Sequence, residues 1–160
     1  CFAGMNHSYH HVFFVFILIY YIFTTTGLNS LDMVKKNLKV IKAKEAALKA
    51  IAAVKNAASG SEWNFAGKLQ LMEAEHRSVL HRGFSFDQIL ACYDSAIAHA
   101  KQSRFIHEEG LACEKAGLFC KKVQDYGRAQ SYFNQARACY SEWGSSVKVA
   151  FIQNELNNLF

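Results

Sequence analysis

Three groups of residues carry side chains of the kind that does chemistry, and their spacing decides what each is able to do. His107-Glu108-Glu109 sets an imidazole beside two carboxylates. A helical zinc site of the HExxH kind needs a second histidine four residues after the first, and Leu111 stands there. The run therefore reads as a helix start, where carboxylates oppose the positive helix end and help satisfy free N–H groups while Phe105 and Ile106 pack beneath. Cys113 and Cys120 lie seven residues apart on one helical face, Cys92 and Cys139 fall in the neighbouring stretches, and Cys1 completes an odd set of five without a CxxC pair. A thiol cluster is conceivable, but cysteine is among the most buried residue types, so filler in helix interfaces is the expected role. His76 and His81, five apart, are separated by about 140° around a helix and do not share a metal. Glu73 and Glu75 fall on different faces, which leaves Glu73 with Arg77 as an i, i+4 ion pair worth a few tenths of a kcal/mol, about 0.3. GxxxxGK[ST], GxGxxG and GxSxG are all absent. The residues thus assign no catalytic group, no cofactor site and no metal ligand, and an enzyme is disfavoured.

The elements that position these groups are helical. In 160 residues, 51% hydrophobic and 19% charged, there is enough apolar material for a packed core and too much for disorder. Proline is absent, where ordinary usage of about 5% would supply roughly eight. Long uninterrupted helices follow. From Leu31 the apolar residues Leu31, Val34, Leu38, Ile41, Leu48 and Ile51 form one stripe of an amphipathic helix whose alanine-rich second half stops at Ser59-Gly60-Ser61. Beyond it helices are expected over 66–80, 86–101, 105–122, 126–141 and 145–159, with breaks at Gly83, Ser103, Asp125 and Gly144. Short loops of this kind place consecutive helices antiparallel. Trp63, Trp143, Tyr126 and Tyr132 are expected as wedges between helices in preference to the lining of a peptide groove.

Val12 to Phe23 is twelve apolar residues without interruption. At 1.5 Å per residue it covers about 18 Å, short of the roughly 30 Å of a bilayer core, and it reads as a helix buried among others. Residues 31–57 hold seven lysines against Asp32 and Glu45, which accounts for the whole net charge of +5. A basic balance confined to one helix is a solvated face before it is a nucleic-acid site, and no nucleic-acid partner is expected. The odd cysteine set in a chain that needs no staples suits a reducing, cytoplasmic setting. A start at Cys1 without a basic leader region suggests a segment of a larger protein. Terminal repeats without polar outer faces are expected to expose apolar surface at one or both ends.

An internal repeat sharpens the picture. Ile89, Tyr93 and Ala96 match Ala129, Phe133 and Ala136 at a shift of 40 residues, each triplet setting a ring between smaller groups on one helical face. Gly117 lies twelve residues before Ala129, where two helices must approach closely, whereas Arg77 at the corresponding earlier position does not fit. Together with these, the run Asn64 to Leu69 leading into Met72 to Glu75, then Tyr93 to Ile97, Phe105 to Glu114, and Ala136 to Gly144 with Lys148-Val149, resembles the tetratricopeptide-like helical-repeat linker of large multi-domain AAA-type or STAND-type ATPase signalling proteins. In that family the linker follows the ATPase and precedes GAF, histidine-kinase, receiver or cyclase domains. The resemblance spans roughly residues 8 to 155, with FIHEE and the terminal YxxWG as its specific parts. Gly110 replaces the family's usual alanine, a change that costs a helix about 0.5–1 kcal/mol. Cys120 replaces an aromatic residue or leucine.

The expected architecture is therefore all-α: an antiparallel helix-hairpin array of the tetratricopeptide-like α-solenoid kind with about seven helices. Residues 1–60 supply the apolar and lysine-rich helices, and 61–160 the hairpins. The expected role is a non-catalytic scaffold or interaction module of a signal-transduction ATPase or kinase, whose partner is protein. A membrane-tethered module, with residues 9–27 inserted and the lysine helix on anionic lipid, is the alternative.

Overall fold

The structure is a computed structural model that describes residues 30–80 and 83–159. Its secondary structure is all-α, with six helices and no strand among the described residues: α1 (Ser30–Gly60), α2 (Glu62–Leu80), α3 (Phe86–Gln102), α4 (Ile106–Lys122), α5 (Tyr126–Trp143) and α6 (Ser146–Asn157). The seventh expected helix, over Val12 to Phe23, lies outside the described residues. The chain divides into two compact units, Cys1–Asn56 and Ala57–Phe160, so the division falls inside the last turn of α1 and a few residues before the expected boundary at 60.

In the first unit, α1 corrects the expected stripe. Ala43 and Ala47 are buried, with Val40, Ala50 and Val54 partly covered beside them, whereas Leu38, Ile41 and Leu48 stand exposed. Both sets recur at helical spacing on opposite sides of the same helix. Lys39, Lys42, Lys44, Lys49 and Lys55 are exposed, as a solvated face requires.

In the second unit each helix from α2 to α6 packs on the next in sequence, and α2 also touches α4. Local chemistry explains the starts. Ser85 caps α3 through a reciprocal box: its hydroxyl accepts from the Gln88 N–H at 3.2 Å while its own N–H donates to Gln88 Oε1 at 2.8 Å. Asp125 accepts from the Arg128 N–H at 3.1 Å at the head of α5.

The helix ends share one turn. Arg104, Gln124 and Gly144 each adopt positive φ (57°, 65° and 82°), and the N–H that follows each one donates back to a carbonyl five residues earlier at 2.9 Å: Phe105 to Ala100, Asp125 to Cys120 and Ser145 to Tyr140. This is the Schellman-type closure, recurring every twenty residues. Only Gly144 advertises it in sequence, because a left-handed arginine or glutamine is held there at a cost of about 1 kcal/mol.

The core is built from the repeated triplets. Ile89, Tyr93, Ala96, Ala129, Phe133 and Ala136 are all buried, together with Cys113, Cys120, Tyr140 and Ile152. Phe119 is buried too, stacking on Phe86 at 5.4 Å between ring centroids and tilting against Tyr93 at 5.7 Å. Gly117 faces the Phe133 ring so closely that a Cβ would lie 2.7 Å from it. Gly110 is held in the same way: a Cβ there would meet Tyr140 and Cys139 at 3.0–3.1 Å. The expected penalty of glycine at 110 is therefore offset by the ring it admits.

Candidate functional site

The first turn of α4 carries Glu108 and Glu109 as expected, but no side chain caps its N–H groups. Glu108 instead reaches α2, where Lys68 Nζ lies 2.5 Å from its carboxylate. Lys68 also sits over the Phe105 ring, 5.3 Å from its centre. A cross-helix ion pair over an aromatic plate thus takes the place of the expected cap, because Lys68 is close enough to compete for the carboxylate. His107 tilts against Trp143 with 5.5 Å between ring centres.

Two carboxylates, Glu114 buried and Glu75 half-buried, form the polar interior of the second unit. Glu75 accepts from the Tyr93 hydroxyl at 2.5 Å. Burial pushes its carboxyl above the usual range despite the nearby ammonium groups of Lys115 and Lys122, and Glu114 adds to the rise. Burial likewise pulls Lys122 below the usual lysine range and lifts the Tyr93 hydroxyl well above its own. Glu114 is buried on α4, where Tyr140 Oη donates to it at 2.7 Å and Lys148 Nζ at 2.9 and 3.2 Å, joining α4 to α5 and α6. Sequence reasoning missed both groups. The Glu-to-Tyr separations are 18 and 26 residues, so no common spacing betrays them. Glu73 and Arg77 do pair, at 3.6 Å.

The raised Glu75 pKa carries a pH dependence. A carboxyl whose folded-state value exceeds its unfolded value of 4.5 contributes stability fully below pH 4.5 and loses it as the pH rises through the folded value. Glu75→Gln is therefore expected to gain stability relative to the parent chain progressively above pH 4.5. Urea midpoints for both proteins at acid and neutral pH check this; parallel curves would contradict it.

The thiols divide. Cys113, Cys120 and Cys139 are buried, and burial lifts them to about 12, about 11 and about 11, so each stays protonated at neutral pH. That matches the filler role. Cys92 is only partly covered, and Arg77 Nη1 donates to its sulfur at 2.7 Å. Arg77 occupies the position that Gly117 fills in the later repeat, and it is only partly covered. It lines an open cleft of about 460 Å³ together with Gln70, Glu73, Phe84, Gln88 and Cys92 among others. Arg77 also lies 5.1 Å from the Phe84 ring centre.

The tryptophans correct another expectation. Trp63 and Trp143 are 60% and 52% exposed and Tyr126 is exposed, while Tyr132 is half-buried and donates to Asp94 at 2.6 Å. Residues 63, 126 and 143 stand at helix ends, where a ring has no helix on both sides. The true wedges are Tyr93, Phe119, Phe133 and Tyr140. Beside Trp143, Val147 is 79% exposed and Phe151 is exposed on α6, which gives apolar surface at the later end of the described helices. The apolar stretch at the other end lies outside the described residues, as does His81.

No group of three or more histidine, cysteine, aspartate or glutamate side chains among the described residues is arranged to hold a metal ion. No helix among them is long and apolar enough to cross a membrane. The chain matches no family model, no curated protein and no solved structure.

Proposed function

We propose that the chain is a non-catalytic helical-repeat module, an antiparallel tetratricopeptide-like array of hairpins that couples domains of a large cytoplasmic signalling ATPase or kinase or docks a protein partner. One observation carries the reading: successive helices meet in reversed order. Gly67 of α2 neighbours Ala100 of α3, while Glu75 further along α2 meets Tyr93 earlier in α3. Gly110 meets Tyr140, and Gly117 meets Phe133. Residues advancing along one helix face residues receding along the next, as hairpins require. The repeated turn and the two buried triplets support the same reading. Each helix then buries its apolar face only against its neighbours, so the array shifts as stacked rigid units when a domain at one end moves. The residues with chemical potential support a structural role, since Glu75, Glu108 and Glu114 are spent in bonds between helices.

Two measurements test it. The reading frame around the chain is expected to encode a nucleotide-binding module upstream and a sensor or kinase module downstream; a flanking frame without either overturns the parent-protein reading. The purified chain is expected to stay in solution without detergent when mixed with phosphatidylcholine–phosphatidylserine vesicles. Obligatory partition into the vesicles would overturn the scaffold in favour of the membrane-tethered module.

A further inference from the structure

The outward side of α1 has a second regularity. Leu38, Ile41, Glu45, Leu48 and Ala52 follow one another at intervals of three, four, three and four residues, and all five are exposed. Leu38, Ile41 and Leu48 each leave about half their surface free, at 53%, 51% and 51%. This alternation has the spacing of a coiled-coil seam, in which each apolar residue would insert between four side chains of a facing helix. The positions flanking the seam are basic where they are charged: Lys42 and Lys49 along one edge and Lys44 along the other, all exposed. The same interval runs back in the sequence through Val34 and Leu31.

Charge selects among the occupants of such a face. A second copy of α1 would bring lysine edges against lysine edges in either orientation, and in parallel register Glu45 against Glu45. Like charges across a coiled-coil seam discriminate against that pairing. An anionic membrane would satisfy the lysines but would press the Glu45 carboxylate into the centre of the inserted face among headgroups of its own sign. A helix with acidic edges and a cation opposite Glu45 meets every charge on the face with its opposite. We propose that the outward face of α1 docks an acidic amphipathic helix of a partner protein in coiled-coil register, with Lys42, Lys44 and Lys49 selecting it and Glu45 fixing its register. This deepens the docking reading above and rests on it for the nature of the partner as protein. Its residues all lie on α1, in the first unit.

The test uses the full chain and synthetic helical peptides with leucine at the seam and one lysine opposite Glu45, differing only in edges of glutamate, glutamine or lysine. By fluorescence anisotropy the glutamate-edged peptide is expected to bind about tenfold or more tightly than the glutamine-edged one, with the advantage shrinking between about 50 mM and about 300 mM salt. Lys42→Glu with Lys49→Glu is expected to reverse the preference toward the lysine-edged peptide. Leu38→Ser with Leu48→Ser is expected to abolish binding of all three. These positions are exposed, and far-ultraviolet circular dichroism confirms that the helices persist in each variant. Equal affinity for the glutamate and glutamine edges overturns the proposal, as does binding undiminished by the serine pair. Self-association abolished by the serine pair would overturn it in favour of a second copy, and vesicle retention without peptide binding in favour of lipid. Failure with the peptides while the flanking modules and detergent-free solubility hold would sink this proposal and leave the scaffold reading standing.

Discussion

Phe133→Ala is expected to lower the unfolding free energy by about 3–5 kcal/mol, the largest effect of any single change considered for this chain. The ring has no exposed surface and is clamped against Gly117 of the facing helix, so its removal leaves a cavity that the surrounding helices fill only in part. Gly117→Ala attacks the same contact from the other side. In an open helix the added methyl would stabilise by up to about 1 kcal/mol through helix propensity. Here it would lie 2.7 Å from two carbons of a rigid, enclosed ring, and overpacking of about 1–3 kcal/mol outweighs the gain. The two changes must couple. With the ring gone, alanine at 117 no longer clashes and regains its propensity advantage, so the double variant is expected to be less unstable than the sum of the singles. Urea denaturation of the four proteins in a cycle reads this directly. Strict additivity would mean that the pair is not in contact.

Lys148→Met is expected to cost about 3 kcal/mol. Glu114 is 4% exposed and lies against two donors, the Tyr140 hydroxyl and the Lys148 ammonium. Removing the ammonium leaves an enclosed carboxylate without its neighbouring cation, the most damaging way to disrupt such a pair, and the partial exposure of Lys148 places the cost near the lower end of the usual 3–5 kcal/mol, at about 3. Glu114→Gln in the Lys148→Met background removes the stranded charge and is expected to recover a large part of the loss, since the amide oxygen still accepts from Tyr140. Denaturation midpoints of the single and double variants decide the matter. If the double variant is no more stable than Lys148→Met, the ion pair does not hold α6 to α4.

The pattern of residues made some of this visible and hid the rest for identifiable reasons. Helix content followed from the missing prolines and the periodic apolar residues, and the triplets around Tyr93 and Phe133 declared their burial because a ring between two small groups at i, i+4 and i+7 has one natural use. Gly117 was legible as a contact point, whereas Gly110 read as a defect because nothing local announces Tyr140 arriving from thirty residues away. The exposed side of α1 reads in the sequence as its covered side, since Leu38, Ile41 and Leu48 outweigh Ala43 and Ala47 in bulk, yet the alanines are the buried ones. The carboxylates of Glu75 and Glu114 were invisible because their partners lie on other helices at unrelated separations. Tryptophans 63 and 143 misled because aromatic character signals burial only where a second helix reaches, and both stand at helix ends.

The matched turns at 104, 124 and 144 have a consequence for how such a chain changes length. The same backbone closure forms around arginine, glutamine or glycine, so the turn itself places little demand on the residue at its centre. Duplication or loss of whole forty-residue hairpins, two such turns at a time, would therefore return each following helix to its original direction and preserve the seams between old and new segments. Indels of any other size would have to rebuild one, and natural variants of this protein should differ in length by those increments.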